Sequence, residues 1–239
     1  MAFHITFLTI FPEMFPGPLG ASIAGKALES GEWSMDVVDI RDFAEDKHKT
    51  VDDSPFGGGV GMVMRPDALS NAIEHVIEKH NPEKMFYMSP RGKVFTQENV
   101  EEISKLENIA VLCGRYEGID QRIIEEYALE EISLGDFILS GGEIAALALI
   151  DACIRLLPSV LSSREAVAEE SFGCGKFKNL LEYPHYTRPS EWKGRKVPEV
   201  LLSGNHGEIE KWRFDEAVKI TKERRRDLWK KHQLLKEEG

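Results

Sequence analysis

The sequence contains few cysteines: Cys113, Cys153 and Cys174 are the only three among 239 residues. Their number is odd, and no two of them form a Cys-x-x-Cys pair. A disulfide scaffold or a zinc ribbon is therefore disfavoured, because each needs paired cysteines. We expect a protein of a reducing compartment, the cytoplasm.

Long uninterrupted apolar stretches are also missing. The apolar run at 144–158 is broken by Asp151 and Arg155 and is too short to cross a bilayer. The opening residues, MAFHITFLTIFPEMF, lack the basic segment that precedes the apolar part of a signal peptide. We expect no membrane partner.

Positive charge is scarce in the first two thirds of the chain. Residues 1–160 hold 13 Lys and Arg against 27 Asp and Glu, a net of −14. Residues 161–239 hold 17 against 14, a net of +3, with the basic run KERRR at 222–226. A basic tail on an acidic body weakly indicates a polyanionic partner, although a solvated amphipathic helix explains the same charges equally well.

Short apolar runs alternate with helical patterns in the first 160 residues. The β-prone runs are 4–10, 35–40, 84–90 and 109–114, and the helical patterns are 69–80, 96–107 and 142–156. This alternation predicts an α/β domain with a mainly parallel sheet. After Pro158 the periodicity fades until Asn205, where one or two helices begin. We expect an α/β domain at 1–160, a linker at 161–175 and a small helical domain at 176–239.

Two glycine-rich segments are compared with known phosphate-binding patterns. GASIAGKA, at 20–27, almost fits G-x-x-x-x-G-K-[ST], but Ala27 replaces the hydroxyl residue, so a helix packing Ile23, Ala24 and Leu28 is the preferred interpretation. PFGGGVGMVM, at 55–64, has no G-x-G-x-x-G, which disfavours a Rossmann site. It is either a turn or, by preference, a loop that lets a ligand or a second chain approach the backbone.

Three segments are expected to follow strands and to form a pocket. They are SPRGK at 89–93, LCGRYEGID at 112–120 and the stretch 135–142. Ligands of open α/β sheets bind beyond the carboxyl ends of the strands. The run 134–152 looks like a strand followed by a helix, interrupted at 140–143. We expect Gly141 and Gly142 to bring a ligand close to the backbone by lacking side chains.

Five motifs in matching order resemble those of the bacterial tRNA (guanine-N1)-methyltransferase family of the SPOUT superfamily. They are DDSPFGGGVGMVMRP, LCGRYEGIDQR, SLGDFILSGGE, YPHYTRP and VPEVLLSGNHGEIEKWR. The resemblance implies transfer of a methyl group from S-adenosyl-L-methionine to N1 of the guanine at tRNA position 37, beside the anticodon. It also implies a deep trefoil knot in the α/β domain and a homodimer with its active site at the subunit interface.

The resemblance implies a set of cofactor-binding residues at the predicted pocket. They are Pro90, Gly114, Tyr116, Glu117, Gly118, Leu134, Gly135, Asp136, Phe137, Ile138, Leu139, Gly141 and Gly142. No metal-ligand spacing is evident in the sequence. A Mg²⁺ requirement would involve carboxylates such as Glu117.

Methylation of guanine at N1 requires two catalytic groups besides the cofactor. A neutral N1 carries a proton, so methylation needs a base there and a donor at O6, where charge collects. Arg155 resembles the arginine of the family at O6, although without the resemblance a cation at a helix C-terminus would be the preferred interpretation. The family places an aspartate before Ser-Phe; here Glu170 takes that position and is the expected base, with Glu169 as the alternative.

RNA contacts are expected in the second domain. The candidates are His185, Tyr186, Arg188, Ser203, Asn205 and Arg213, which offer stacking surfaces, cations and a helix cap. Two alternatives to this function stay open. One is a methyltransferase of the same fold acting on another RNA, and the other is a non-catalytic RNA-binding relative.

Overall fold

The structure, a computed structural model, describes residues 3–158, 160 and 169–237. Contacts divide the chain into two compact units, Met1–Leu161 and Ser162–Gly239. Residues 161–168 of the predicted linker lie outside the described residues. The domain and linker bounds given above stay predictions.

The first unit is built on five parallel strands. They are β1 (Phe3–Thr9), β2 (Trp33–Asp39), β5 (Lys84–Val94), β6 (Asn108–Cys113) and β7 (Glu130–Ser133), in the order β2-β1-β6-β5-β7. Two shorter strands between them, β3 (Asp52–Asp53) and β4 (Val63–Met64), form an antiparallel pair. All five parallel strands have helices near them, which is how such sheets keep both faces buried.

Helices cover both faces of this sheet. The helices are α1 (Ser22–Glu29), α2 (Pro66–His80), α3 (Gln97–Ile103), α4 (Gln121–Glu126) and α5 (Gly142–Ile154). Buried residues of α1, α3 and α5 share one apolar cluster with Ile5 and Phe7, while those of α2 and α4 share another with Leu8. This alternation along β1 confirms the predicted α/β class. The trefoil knot stays a prediction.

The glycine-rich segment at 55–62 forms the loop between β3 and β4. Gly57, Gly58, Gly59 and Gly61 all have positive φ, which only glycine adopts without strain. Phe56 and Val60 are fully exposed at this loop. The other glycine-rich segment, GASIAGKA, contains most of helix α1, as predicted, but Ile23 is half exposed instead of packed.

The second unit is mainly helical. It contains a short hairpin, β8 (Glu191–Trp192) with β9 (Arg195–Lys196), and the helices α6 (His206–Arg224) and α7 (Arg226–Glu237). Its apolar core gathers Phe177, Leu180, Tyr183 and Ala217. Among the described residues of both units, no helix is long and apolar enough to span a membrane.

One local prediction around the expected pocket is wrong. Residues 89–93 do not follow a strand but lie within β5, at a β-bulge where Met88 and Lys93 both pair with Ile132. The stretch 135–142 does follow a strand, as expected: the ladder of β7 ends at Ser133, and an irregular loop, not the strand that the apolar run at 134–139 resembles, leads to α5. An apolar run alone does not distinguish a strand from an exposed apolar loop.

The β-bulge in β5 depends on Gly92. A Cβ atom at this position would lie 2.4 Å from the backbone N of Ile132 and 2.4 Å from the carbonyl carbon of Glu131. We predict that Gly92→Ala lowers the free energy of unfolding by about 1–3 kcal/mol, since backbone has to move. Urea unfolding measures this change.

A matched control is Gly207→Ala in helix α6, where the nearest atom to the added Cβ is the Asn205 Oδ1, at 3.7 Å. Its stability should stay unchanged or rise slightly, because alanine favours a helix over glycine. An equal loss in both variants would contradict the role of the contact at Gly92.

Candidate functional site

A cavity of about 310 Å³ lies at the carboxyl ends of β6 and β7 and beside the middle of β5. Three segments line it: 87–91 from β5, 114–119 from the loop after β6, and residues between 132 and 142 from the end of β7 and the loop after it. The location is the one expected for a ligand of an open α/β sheet. Its volume lies in the range of small-molecule pockets.

The cavity brings together nearly all of the predicted cofactor-binding residues. Those that line it are Pro90, Gly114, Tyr116, Glu117, Gly118, Leu134, Gly135, Phe137, Ile138, Leu139, Gly141 and Gly142. Asp136 is exposed and does not line it. The assigned roles stay predictions.

The paired glycines allow a close approach between two parts of the protein. The N–H of Gly142 donates to the carbonyl of Gly114 at 2.8 Å, and a Cβ at Gly142 would lie 2.9 Å from the Cα of Cys113. A Cβ at Gly141 would lie 2.2 Å from the Nε of Arg115. The interpretation that these glycines only make room for a ligand was therefore incomplete, because their nearest neighbours are protein atoms.

Tyr87 sets the position of the loop that follows β6. Its ring would collide with a Cβ at Gly114, at 2.7 Å, and its hydroxyl lies 3.1 Å from the place of a Cβ at Gly118. Burial raises the pKa of Tyr87, so the phenol stays protonated around neutral pH. The loop can lie against this ring because both positions are glycine.

A buried ion pair joins the loop after β6 to helix α5. The Nε of Arg115 donates to both carboxylate oxygens of Glu143, at 2.8 and 3.1 Å, and the Glu143 side chain is 0% exposed. The hydroxyl of Thr9 donates to the same carboxylate at 2.8 Å. Arg115 also donates to the carbonyl of Ser140 at 3.2 Å and lies over the ring of Phe11. The guanidinium thus connects the lining of the cavity to β1 and α5.

Sequence reasoning did not assign this pair. Arg115 lies inside the motif LCGRYEGID, but its partner is 28 residues away. In the sequence, Glu143 is evident only as a polar residue that interrupts an apolar run. A carboxylate that opens an otherwise apolar helix is a signal that could have been used, because a buried charge needs a partner.

The sequence matches a known family along nearly its whole length. A family model described as tRNA (guanine-1)-methyltransferase TrmD matches residues 3–231. The chain belongs to this family. Membership makes it a methyltransferase that modifies tRNA and confirms the resemblance drawn from the five motifs.

Relatives from several bacteria have similar length and sequence. A protein of Rhizobium etli named tRNA (guanine-N(1)-)-methyltransferase is 55% identical over 231 residues, covering 97% of each chain. Proteins of the same name from Brucella ovis and Brucella melitensis are 56% identical over 227 residues, covering 95% of this chain and 91% of theirs.

Arg155 lies away from the cavity within one chain. It directly follows α5, whose first residue, Gly142, lines the cavity. A helix of 13 residues is about 20 Å long, so Arg155 is at the far end. Arg155 is therefore not among the residues that line the cavity of its own unit. Glu170 belongs to the other unit, where its carbonyl accepts a hydrogen bond from the N–H of Gly173.

Glu169, the alternative base, is engaged within the second unit. The hydroxyl of Tyr183 donates to its carboxylate at 3.0 Å, and the Nη1 of Arg213 lies 3.4 Å from the same oxygen. The Arg213 guanidinium also lies 5.0 Å from the centre of the Tyr183 ring. Burial and the bond to Glu169 raise the pKa of Tyr183 to about 12. Arg213, a predicted RNA contact, thus also has a structural partner.

The other predicted RNA contacts lie on exposed parts of the second unit. His185 pairs with Glu182 at 2.8 Å, and the ring of Tyr186 lies 6.2 Å from that of Trp212. Asn205 caps α6 by accepting from the N–H of Glu208, whereas the Ser203 hydroxyl donates to the carbonyl of Val200. Of the two residues proposed as the cap, the structure selects Asn205. Arg188 is exposed.

Breaking the buried pair should be costly. We predict that Glu143→Gln lowers the free energy of unfolding by about 3–5 kcal/mol, because Arg115 loses its counter-charge in a buried setting. Chemical denaturation followed by circular dichroism gives the value.

The exposed pair of Lys84 and Glu130, 2.8 Å apart, provides the comparison. Glu130→Gln should cost less than about 1 kcal/mol, since water screens both charges. If the two glutamine variants unfold alike, the pair at Glu143 does not hold this site together.

Proposed function

We propose that the chain transfers a methyl group from S-adenosyl-L-methionine to N1 of the guanine at tRNA position 37, next to the anticodon, and that two copies build each active site. The observation that carries the proposal is the cavity made by part of β5 and by the loops that follow β6 and β7 in a member of this family. The acidic first unit would bind the cofactor, and the more basic second unit would bind RNA.

The cavity fits the cofactor in size and chemistry. Within the described chain, the N–H groups of Ile138 and Leu139 donate to no other backbone group, so they can donate to the acceptor atoms of a nucleoside. Apolar side chains such as Phe137 can cover the base ring of the nucleoside. When bound, S-adenosyl-L-methionine supplies the activated methyl group.

Glu170 and Arg155 would supply the proton transfer and the charge stabilisation. The carboxylate of Glu170 accepts the proton from guanine N1, which makes that nitrogen a nucleophile. The guanidinium of Arg155 faces O6, where negative charge collects as the proton leaves. A positioned base contributes about 10²–10⁴ in rate, so losing either group should be measurable.

The position of Arg155 favours an active site shared between two copies. In its own chain the residue is a helix length away from the cavity, so a second copy has to provide it. The cavity loop also exposes apolar side chains that a second copy could cover: Ile138 is 81% and Phe137 54% exposed. A homodimer explains both observations.

The charged and aromatic residues of the second unit would hold the tRNA. His185, Tyr186 and Arg188 lie in the segment before the hairpin of β8 and β9, and Arg213 lies on α6. Aromatic rings stack on unpaired bases, and cations bind phosphates. Contacts of this kind suit an RNA substrate whose target guanine lies in a loop, where bases are unpaired. A place in the cytoplasm is a further part of the proposal.

We predict that Glu170→Gln abolishes formation of N1-methylguanosine while S-adenosyl-L-methionine still binds. The amide cannot take the proton, but it leaves the cavity of the first unit intact. Mass spectrometry of nucleosides from treated tRNA measures the product, with a tRNA carrying adenine at position 37 as the substrate control. Calorimetry measures cofactor binding.

The matched control is Glu169→Gln. Because Tyr183 and Arg213 occupy the Glu169 carboxylate, this variant should retain most of the turnover. Loss of activity in Glu169→Gln, with normal activity in Glu170→Gln, would reverse the assignment of the base. Methylation of the adenine-37 tRNA at another guanine would refute the proposed position.

We predict that two inactive variants restore activity when they form mixed dimers. Arg155→Ala leaves the cavity intact, and Leu139→Arg blocks the cavity but keeps Arg155. Mixed dimers purified from co-expressed variants should show about half of the wild-type activity, since each of them contains one complete site and one defective site. Each variant alone should lose at least about a hundredfold in rate.

The readout is turnover of purified mixed dimers carrying two different tags. Activity no higher than that of the single variants would mean that Arg155 acts in its own chain or does not act at all. A large drop in the melting temperature of Arg155→Ala would indicate a structural role at the end of α5 instead.

A further inference from the structure

Three polar side chains lie close together near the amino-terminal ends of β1 and β2. The cavity lies towards the opposite end of the sheet. His4 lies on β1, Asp36 on β2, and His80 is the last residue of α2. In the parallel register His4 faces Ser34 and Thr6 faces Asp36, so His4 and Asp36 lie on the same face as α2. Each of the three offers one ligand atom within 4.8 Å of the others.

The spacing of these atoms resembles that around a tetrahedral metal ion. The Nε2 of His4 lies 3.7 Å from the Oδ2 of Asp36, and the Nε2 of His80 lies 3.5 Å from the same oxygen. A tetrahedral zinc ion with ligands at its usual distances separates them by about 3.3 Å. Movements of a few tenths of an ångström would bring both histidine nitrogens to this distance from Asp36.

His80 gives an independent indication of a ligand. Its side chain is only 10% exposed, and its Nε2 is buried and has no hydrogen-bond partner among the described residues. Buried polar atoms are rarely left without a partner, because doing so costs free energy. This nitrogen points to the space between Asp36 and His4, where a bound ion would satisfy it.

Neighbouring groups hold the ligands in place. The Nδ1 of His4 is bonded to the hydroxyl of Ser34 at 2.8 Å, so its Nε2 is turned towards Asp36, with the Thr6 hydroxyl 3.4 Å away. The side-chain amide of Asn108 donates to the carbonyl of His80 and fixes the end of α2 to the sheet. Outer hydrogen bonds of this kind commonly orient metal-binding histidines.

We propose that His4, Asp36 and His80 bind a divalent transition-metal ion of the zinc type, with water completing its coordination. Two imidazoles and one carboxylate suit zinc or cobalt, whereas Mg²⁺ prefers oxygen ligands alone. The site is separate from the methyl-transfer cavity. By joining β1, β2 and α2, the ion stabilises the first unit and takes no part in the reaction.

The test uses Co²⁺ and then Zn²⁺ on full-length protein freed of metal by a chelator. We expect one Co²⁺ per chain with the visible absorption of a tetrahedral ion, displacement of it by Zn²⁺, and a higher melting temperature with Zn²⁺. Asp36→Asn, at a half-exposed position that tolerates the change, should weaken binding at least about a hundredfold, and Ser34→Ala about tenfold.

His75→Ala is the matched control, because His75 is an exposed histidine on the same helix. It should bind Co²⁺ as the wild type does. No saturable binding of one ion, binding unchanged in Asp36→Asn, or a thiolate-to-cobalt absorption band indicating a cysteine ligand would each overturn the proposal.

Discussion

The ion pair between Arg115 and Glu143 fixes the geometry on which the cavity depends. Glu143 is completely buried at the start of α5, and its carboxylate accepts hydrogen bonds from both Arg115 and Thr9. Arg115 in turn holds the carbonyl of Ser140, which lines the cavity. One guanidinium therefore ties β1, the loop after β6, the loop after β7 and α5 together. A buried charge pair of this kind specifies one arrangement, because leaving either charge alone is costly.

The glycines of the site serve that arrangement. Gly114 lies against the ring of Tyr87, and Gly142 lies against the backbone of Cys113 and Gly114, so the two loops approach more closely than side chains would allow. Five glycines of these loops line the cavity and can present only backbone groups to it, which suits recognition of a nucleoside by peptide groups. The groups that we assign to proton transfer and charge stabilisation are not among the residues that line the cavity, and for this reason we propose that two copies build each active site.

Much of the fold follows from local sequence patterns, whereas the site depends on contacts between distant residues. The apolar runs at 4–10 and 109–114 predicted β1 and β6, and Thr96 predicted the start of α3. The apolar run at 134–139 forms a loop in which Phe137, Ile138 and Leu139 are exposed, so an apolar run alone does not identify a strand. Periodicity cannot show contacts between residues 28 or more positions apart. Such contacts include the one at the β-bulge of Gly92, the pair of Arg115 with Glu143 and the stacking of His4 on His80.

The central claim is that backbone groups of the loops after β6 and β7 bind S-adenosyl-L-methionine. Hydrogen–deuterium exchange of the full-length protein, with and without the cofactor and without tRNA, tests it most directly. The account predicts slower exchange of amides in 114–119 and 134–142, with unchanged exchange at the end of α2 near His80. Protection that spares both loops, or that falls mainly in the second unit, would contradict it.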